Sequence, residues 1–161
     1  MSIFFELFHA LPRQGPGSDA ATATALSFAT SVPKCPRILD IGCGTGAQTL
    51  ALARLTGGRI TAVDISQAFL DTLTRSAEEQ GVAAQISTLC CSMDALDLPV
   101  DDFDLVWCEG AIYNMGFEHG LRAFKRFLKP GGFLAVTELV WFMPDPPERV
   151  SQFWSAAYPS I

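Results

Sequence analysis

Short apolar runs alternate with longer amphipathic segments along the chain from Arg37 onward. Several of the short runs are apolar at nearly every position, which is typical of strands that are covered on both faces of a sheet. The runs that predict strands are Arg37–Ile41, Arg59–Asp64, Gln85–Cys90, Phe103–Cys108 and Phe133–Val140.

The segments between these runs have helical spacing. In one of them, apolar residues recur at steps of three and four positions, with Ser66 placed to cap its start and Gly81 to end it. The stretch "KPGG" predicts the end of another helix and a turn into the last strand. The predicted helices are Asp19–Thr30, Thr45–Leu55, Gln67–Gln80, Glu118–Leu128 and a short one at Arg149–Ala157.

Regular alternation of strands and helices predicts an α/β fold, with a parallel sheet and right-handed crossovers that place helices on both faces. We expect one domain over residues 1–161, in which residues 1–33 precede an α/β core formed by residues 34–161. No internal repeat or low-complexity segment interrupts this pattern.

The amino-acid composition of the chain excludes several classes of protein. The chain is 49% hydrophobic and 17% charged, which excludes a disordered chain, and its net charge of −6 argues against a nucleic-acid surface. No apolar run is long enough to cross a membrane, and the first residues lack the features of a signal peptide. Five cysteines without a C-x-x-C pair predict buried, reduced thiols in a cytoplasmic protein, and the two histidines show no metal-ligand spacing.

A glycine-rich loop lies in the stretch "RILDIGCGTGAQTL". Gly42, Gly44 and Gly46 follow the first predicted strand and open a helix, where a doubly wound sheet presents its ligand crevice. Glycine allows the backbone to approach a ligand without a clash at Cβ. The spacing G-x-G-x-G is one residue shorter than the dinucleotide fingerprint G-x-G-x-x-G, so it does not by itself identify the ligand.

Two acidic residues distinguish the candidate ligands. Asp40 lies just before the glycines, where its charge would oppose a pyrophosphate and suit a cationic ligand such as S-adenosylmethionine. Asp64 ends the next predicted strand, where a carboxylate can accept hydrogen bonds from ribose hydroxyls. The alternatives are a loop-capping role for Asp40 and a helix-capping role for Asp64. The presence of both acids favours ligand binding.

With these motifs the sequence resembles a known family. "LDIGCGTG" followed by "VDIS" is similar to class I S-adenosylmethionine-dependent methyltransferases, and "LPRQGPGS", "CSMDAL", "WCEGAIYNMGFEHGL" and "LKPGGFLAVTELVWF" resemble a subgroup acting on small molecules. The resemblance covers nearly the whole chain from Arg37. It implies a Rossmann-like core with strand order 3-2-1-4-5 and S-adenosyl-L-methionine as cofactor.

The resemblance also implies a set of cofactor contacts. The glycine loop and Glu109 would lie near the methionine part, Asp64 and Ile65 near ribose and adenine, and an N-terminal flap over the cofactor. Many relatives bind adenine with an Asp where this chain has Ser92, although Asp94 is close by. The implied contacts are Arg13, Gln14, Asp40, Gly42, Gly44, Gly46, Asp64, Ile65, Ser92, Met93 and Glu109.

Methyl transfer from a sulfonium needs alignment and exclusion of water more than a dedicated catalytic group. If the acceptor must lose a proton, a base is expected at the carboxyl ends of the strands, and Glu109, Tyr113 and Glu138 are the candidates. Each of them has the alternative of a cofactor contact or a capping role. Aromatic residues that form either a substrate pocket or ordinary core are Phe4, Phe5, Phe8, Trp141 and Phe142.

Relatives of this fold close the sheet with two further strands, for which little sequence follows Val140. We therefore expect either a fragment of a longer protein or pairing with a second copy through the edge of the fifth strand. The predicted partner is a small-molecule substrate, without nucleic acid or membrane. The alternative functions are a cofactor- or partner-binding chain without turnover and a nicotinamide-dependent oxidoreductase.

Overall fold

The computed structural model describes Phe8, Leu11 and residues 13–158. Within these residues strands and helices alternate as the sequence predicts. The strands are β1 (Arg37–Ile41), β2 (Arg59–Asp64), β3 (Ile86–Cys90), β4 (Phe103–Cys108) and β5 (Leu128–Val136). The α-helices are α1 (Asp19–Ser27), α2 (Ala47–Thr56), α3 (Gln67–Glu79), α4 (Phe117–Lys125) and α5 (Glu148–Ala157), with short 3-10 helices at Ala83–Gln85 and Ile112–Asn114.

The five strands form one parallel sheet in the order β3-β2-β1-β4-β5. β1 lies at its centre, where Ile38 pairs with Ile60 of β2 on one side and with Leu105 of β4 on the other. The chain reverses its direction of travel across the sheet between β3 and β4, so a crevice opens at the carboxyl ends of β1 and β4. The predicted α/β class and strand order are confirmed.

Each face of the sheet carries its own apolar layer, because successive side chains of a strand point to opposite faces. Ile38 belongs to the layer beneath α2 and α3, against which Leu26 of α1 also packs. Leu39 belongs to the opposite layer, which contains Phe124 of α4 and Phe127. Four of the five residues of β1 are buried, and this fixes the strand from which the glycine loop departs.

The fifth strand differs from its prediction. It begins at Leu128 and ends at Val136, whereas the sequence predicts Phe133–Val140. "KPGG" lies inside the strand as an irregularity, since Phe103 pairs with Leu128 but Leu105 pairs with Phe133. Proline and glycine signal a break in a strand as readily as a turn before one. Residues 137–140 leave the sheet, and the Thr137 hydroxyl accepts a hydrogen bond from the Gly110 amide at 2.7 Å.

Helix ends show smaller differences from the prediction. α4 ends at Lys125 rather than Leu128, and α1 ends at Ser27 rather than Thr30. Ser66 occupies the N-cap position of α3, as expected, but its side chain makes no capping hydrogen bond. Ser18, which the sequence pattern did not single out, caps α1 by accepting a hydrogen bond from the Ala21 amide at 3.1 Å.

Other expectations are met in part or remain open. Cys43 and Cys108 are buried as predicted, but Cys35 and Cys90 are exposed. All helices in the described part of the chain are too short or too polar to cross a lipid bilayer. β3 and β5 are the outer strands of the described sheet. Pairing of a second copy with β5, the single domain and the cytoplasmic location stay predictions.

The core layer below α4 makes a prediction about stability. Phe124 has no exposed surface, so Phe124→Ala should leave a cavity and lower the free energy of unfolding by about 3–5 kcal/mol. Phe142 is 99% exposed, so the same substitution there should change it by less than about 0.5 kcal/mol. Urea denaturation of both variants measures the difference. Equal losses would contradict the assignment of Phe124 to the core.

Candidate functional site

A cavity of about 850 Å³ opens at the carboxyl ends of the strands. Its wall is formed by the glycine loop, the residues that follow β2, β3, β4 and β5, the segment before α1 and the end of α5. With the exception of Asp40, all the predicted site residues lie on this wall: Arg13, Gln14, Gly42, Gly44, Gly46, Asp64, Ile65, Ser92, Met93, Glu109, Tyr113 and Glu138.

The glycine loop is held in a conformation that requires glycine. Gly42 and Gly44 have φ angles of 72° and 56°, a left-handed region that side chains disfavour. A Cβ at Gly42 would also clash with Ala111, and one at Gly44 with the Gln14 side chain. The loop is pinned to β2, because the amides of Gly42 and Cys43 both donate to the Val63 carbonyl, at 2.8 and 2.9 Å.

Asp64 joins the glycine loop to the end of β2. Its Oδ2 accepts a hydrogen bond from the Gly44 amide at 2.8 Å, and its Oδ1 accepts one from the Ser66 amide at 2.9 Å. The second contact is local, but Asp64 is not the N-cap that the sequence left open as an alternative, because Ser66 occupies that position in α3. Because a carboxylate has about four acceptor positions, these two bonds leave capacity for hydroxyl donors of a ligand in the cavity.

Asp40 is placed differently from the expectation that it faces the ligand. Its side chain is completely buried and lies off the cavity wall. Thr49 of α2 donates to its Oδ2 at 2.5 Å, and Gln48 donates to its Oδ1 at 3.4 Å. The carboxyl group therefore ties β1 to the first turn of α2 beneath the loop, which is close to the loop-capping alternative.

Burial dominates the ionisation of Asp40. Desolvation raises the pKa of this carboxyl from 3.8 to about 7, and the nearby negative charges of Glu109 and Asp64 act in the same direction. The hydrogen bonds from Thr49 and Gln48 act in the opposite direction but are outweighed. The negative charge of Asp40 is thus costly and would be favoured by a cation bound nearby.

Glu109 is at the centre of a polar network that holds the N-terminal segment over the cavity. Its Oε1 accepts from Arg13 at 2.7 Å, while its Oε2 accepts from Trp107 Nε1 at 3.1 Å and from the Thr22 hydroxyl at 3.2 Å. The Arg13 guanidinium also contacts Asp19 at 3.2 Å. Glu109 is therefore occupied by three protein donors, a position that suits a structural role better than that of a free base.

Gln14 forms a second attachment of the same segment. Its Oε1 accepts a hydrogen bond from the Thr45 amide of the glycine loop at 3.0 Å, and its Nε2 donates to the Phe8 carbonyl at 3.1 Å. The sequence predicted a flap containing Arg13 and Gln14. The structure gives these two residues specific partners on the sheet and on the loop.

The remaining predicted residues occupy opposite parts of the cavity wall. Ile65, Ser92 and Met93 lie beyond Asp64, at the ends of β2 and β3, and Ile65 is 66% exposed. Tyr113 and Glu138 lie at the other end, beyond β4 and β5. Within the described residues, no group of three or more His, Cys, Asp or Glu side chains could hold a metal ion.

The sequence missed the contribution of α5. Trp154 and Tyr158, at and just beyond the end of this helix, line the cavity, and Tyr158 packs edge-on against Tyr113 with ring centroids 6.3 Å apart. The aromatic residues in the helical spacing of Glu148–Ala157 were the available signal. Gln48 and Thr49 were also missed, although two polar residues in the first turn of an otherwise apolar helix mark a buried polar partner.

The predicted aromatic wall is only partly observed. Phe8 lines the cavity, whereas Trp141 and Phe142 do not. Phe142 is 99% exposed and so belongs to neither a pocket nor the core, because residues after Val136 have left the sheet. Phe4 and Phe5 lie outside the described residues.

Comparison with known proteins identifies the class. Residues 38–132 match the family model described as "Methyltransferase domain", which is more than half of the chain. The chain belongs to this family, the class I S-adenosylmethionine-dependent methyltransferases, and the resemblance seen in the sequence is confirmed.

Individual relatives agree with this assignment. The chain is 32% identical over 107 residues to Methyltransferase GfsG of Streptomyces halstedii, covering 65% of this chain and 38% of that protein. It is 29% identical over 130 residues to the Ubiquinone/menaquinone biosynthesis C-methyltransferase UbiE of Proteus mirabilis, covering 79% of this chain and 52% of that protein.

A solved structure extends the comparison. The SAM-dependent methyltransferase from Geobacter sulfurreducens in complex with S-adenosyl-L-homocysteine matches with a TM-score of 0.80 and 27% identity, covering 94% of this chain and 61% of that one. The chain therefore spans less than two thirds of the length of each of these three relatives.

Burial of Asp40 predicts a pH dependence of stability. The folded carboxyl, with its raised pKa, keeps its proton up to about pH 7, whereas the unfolded one loses it near pH 3.8, so stability falls as pH rises between these values and levels off above them. Asp40→Asn cannot ionise. Its free energy of unfolding relative to that of the wild type should therefore rise by about 3 kcal/mol between pH 5 and pH 8. Urea denaturation at both pH values measures this gain.

The matched control is Asp71→Asn, because Asp71 is an exposed residue of α3. This variant should keep the pH dependence of the wild type. Parallel pH profiles for the wild type and Asp40→Asn would show that burial of Asp40 does not perturb its ionisation.

Proposed function

We propose that this chain binds S-adenosyl-L-methionine in the cavity and transfers its methyl group to a small-molecule acceptor. The observation that carries the proposal is the position of Asp64, on the cavity wall at the end of β2, with one carboxylate oxygen bonded to the Gly44 amide. A ribose held by Asp64 would place the rest of a nucleoside cofactor along the glycine loop. Family membership and the Geobacter structure with bound S-adenosyl-L-homocysteine support this cofactor.

The residues present fit the cofactor in shape. The backbone of the glycine loop lines the cavity, and the cavity volume of about 850 Å³ lies in the range of ligand sites. Asp64 would hold the ribose, with Ile65 and Met93 against the adenine and Ser92 near its edge. The methionine part would lie along Gly42 and the other glycines of the loop, toward Glu109.

The charges on the cavity wall also fit. Its acidic residues are Asp64, Asp94, Glu109 and Glu138, and Arg13 is the basic residue among the described lining residues. Arg13 is already paired with Glu109 and Asp19. The excess of negative charge favours a cofactor with a sulfonium and an ammonium group, and it opposes the pyrophosphate of a nicotinamide dinucleotide.

When bound, the cofactor supplies an activated methyl group on a positively charged sulfur. The protein's part is to align the acceptor and to exclude water. The segment before α1, fastened by Arg13 to Glu109 and by Gln14 to Thr45, covers one side of the cavity. Asp40, with Thr49, fixes the loop from below and acts on the ligand through its charge and not through contact.

Among the three candidate bases the proposal favours Glu138. Glu109 accepts three hydrogen bonds from the protein. Glu138 accepts one, at Oε1 from the Leu139 amide at 2.7 Å, and its Oε2 has no partner in the described part of the chain. Tyr113 is 45% exposed, and a role as an aromatic residue of the cavity wall suits it better than a role as a base. A small-molecule acceptor agrees with the named activity of the Proteus relative, a quinone-pathway C-methyltransferase.

The proposal predicts specific binding of S-adenosyl-L-homocysteine. Calorimetric titration into the purified chain should show one site, and Asp64→Ala should weaken binding by about tenfold, about 1.4 kcal/mol, through loss of the ribose hydrogen bonds and loosening of the glycine loop. Asp71→Ala, which removes an exposed carboxylate from α3, is the matched control and should bind normally.

Three outcomes would count against the proposal. A folded sample that does not bind S-adenosyl-L-homocysteine would contradict the cofactor assignment for this chain. Tighter binding of a reduced nicotinamide dinucleotide than of S-adenosyl-L-homocysteine would favour the oxidoreductase alternative instead. Binding of S-adenosyl-L-methionine that never yields S-adenosyl-L-homocysteine when an acceptor is added would favour a binding chain without turnover.

A further inference from the structure

Two polar atoms at one end of the cavity are buried and have no hydrogen-bond partner among the described residues. They are Oε2 of Glu138, just beyond β5, and the hydroxyl of Tyr158, just beyond α5. Both residues line the cavity at the end away from Asp64. An unpaired carboxylate oxygen or hydroxyl that is shielded from water is unfavourable, and more so when it is charged. This cost would be relieved by a ligand that donates a hydrogen bond.

Aromatic side chains line the same cavity as these two atoms. Tyr113 and Tyr158 meet edge-to-face, and Trp154 lines the same part of the wall. Aromatic faces attract cations through their ring quadrupoles, more strongly where water is excluded. A cavity wall that combines an unpaired carboxylate oxygen with three aromatic side chains is therefore suited to a positively charged group with N–H donors.

The overall charge of the wall points in the same direction. Glu138 has no basic partner among the described residues, since the one basic lining residue, Arg13, pairs with Glu109 and Asp19. Asp64 is assigned to the ribose in the proposed function. An acceptor with a carboxylate or phosphate would meet uncompensated negative charge here, whereas a protonated amine would neutralise it.

Helix α5, which contributes to the wall at this end of the cavity, is weakly attached to the rest of the protein. None of the residues of α5 is buried, and the helix follows the proline-rich segment 144–147. Few buried contacts are typical of segments that open at low free-energy cost. α5 can therefore move without disturbing the sheet.

From these observations we propose that Glu138, Tyr113, Trp154 and Tyr158 form the acceptor subsite and that it selects small molecules carrying a protonated amine. Glu138 Oε2 accepts a hydrogen bond from the ammonium group, and the three rings surround its substituents. This inference rests on the proposed function, because it treats the rest of the cavity as the cofactor site.

The test compares matched ligands on the chain loaded with S-adenosyl-L-homocysteine. Two skeletons, each with an ammonium, a hydroxyl or a carboxylate, separate charge from shape: 2-phenylethylamine, 2-phenylethanol and phenylacetate, and butylamine, butanol and butyrate. Calorimetric titration should show at least one amine binding tenfold or more tightly than its alcohol, with no detectable binding of its carboxylate. This comparison needs only the unmodified protein.

Glu138→Gln then tests the named residue. It keeps the shape of the side chain but removes its charge, so amine binding should weaken by about tenfold and alcohol binding should change less than twofold. Glu118→Gln, at an exposed carboxylate of α4 that pairs with Arg122, is the matched control and should leave both unchanged. Binding of S-adenosyl-L-homocysteine should be the same in all three proteins.

The results that would contradict this inference differ from those that would contradict the proposed function. The inference is overturned if no amine binds the loaded chain, if alcohols or carboxylates bind as tightly as their amines, or if Glu138→Gln leaves amine binding unchanged. If S-adenosyl-L-homocysteine itself does not bind, the proposed function fails and the acceptor subsite falls with it. Normal cofactor binding without amine preference leaves the proposed function standing and removes only this inference.

Discussion

The buried contact between Asp40 and Thr49 is the constraint on which the site depends. It joins the end of the central strand to the first turn of α2, directly below the glycine loop, and the hydrogen bond is 2.5 Å long. A neutral residue at position 40 would avoid the desolvation of a carboxyl group. Despite this desolvation, the carboxyl group at position 40 can fix the loop and, at the same time, supply negative potential to a cationic ligand.

The segment before α1 is also held in place by a few specific side-chain contacts. Arg13 and Gln14 are adjacent in sequence, yet one is fastened to the end of β4 through Glu109 and the other to the glycine loop through Thr45. One short segment therefore bridges the two strands between which the sheet reverses its order. This arrangement explains how a loop without regular secondary structure can form a defined wall of the cavity.

The sequence was sufficient for the fold because its signals are local and repeated. The bounds of β1, β2 and β4 agree to the residue, since each is an apolar run of strand length. The glycine loop and Asp64 were identifiable for the same reason. The irregularity in β5 was not, because "KPGG" fits a turn and a bulge equally well, and pairing with β4 decides between them.

Side-chain partners could not be predicted in the same way. The sequence around Asp40 is compatible both with a ligand contact and with a buried anchor. Only the packing of α2 against β1 decides between these two roles. Glu109 acquires three donors from residues 13, 22 and 107, a combination that no spacing reveals. Trp154 and Tyr158 belong to a helix whose orientation is set by tertiary contacts and not by its own pattern.

The wall of the cavity draws on residues from 8 to 158, almost the entire described chain. Its parts are far apart in sequence, so they come together only after the non-local strand pairs have formed. The site is therefore an indicator of complete folding, since partial opening of either end of the chain removes part of its wall. Any ligand that spans the cavity is coupled to the folding equilibrium of the whole sheet and will stabilise it in proportion to the logarithm of its concentration above the dissociation constant.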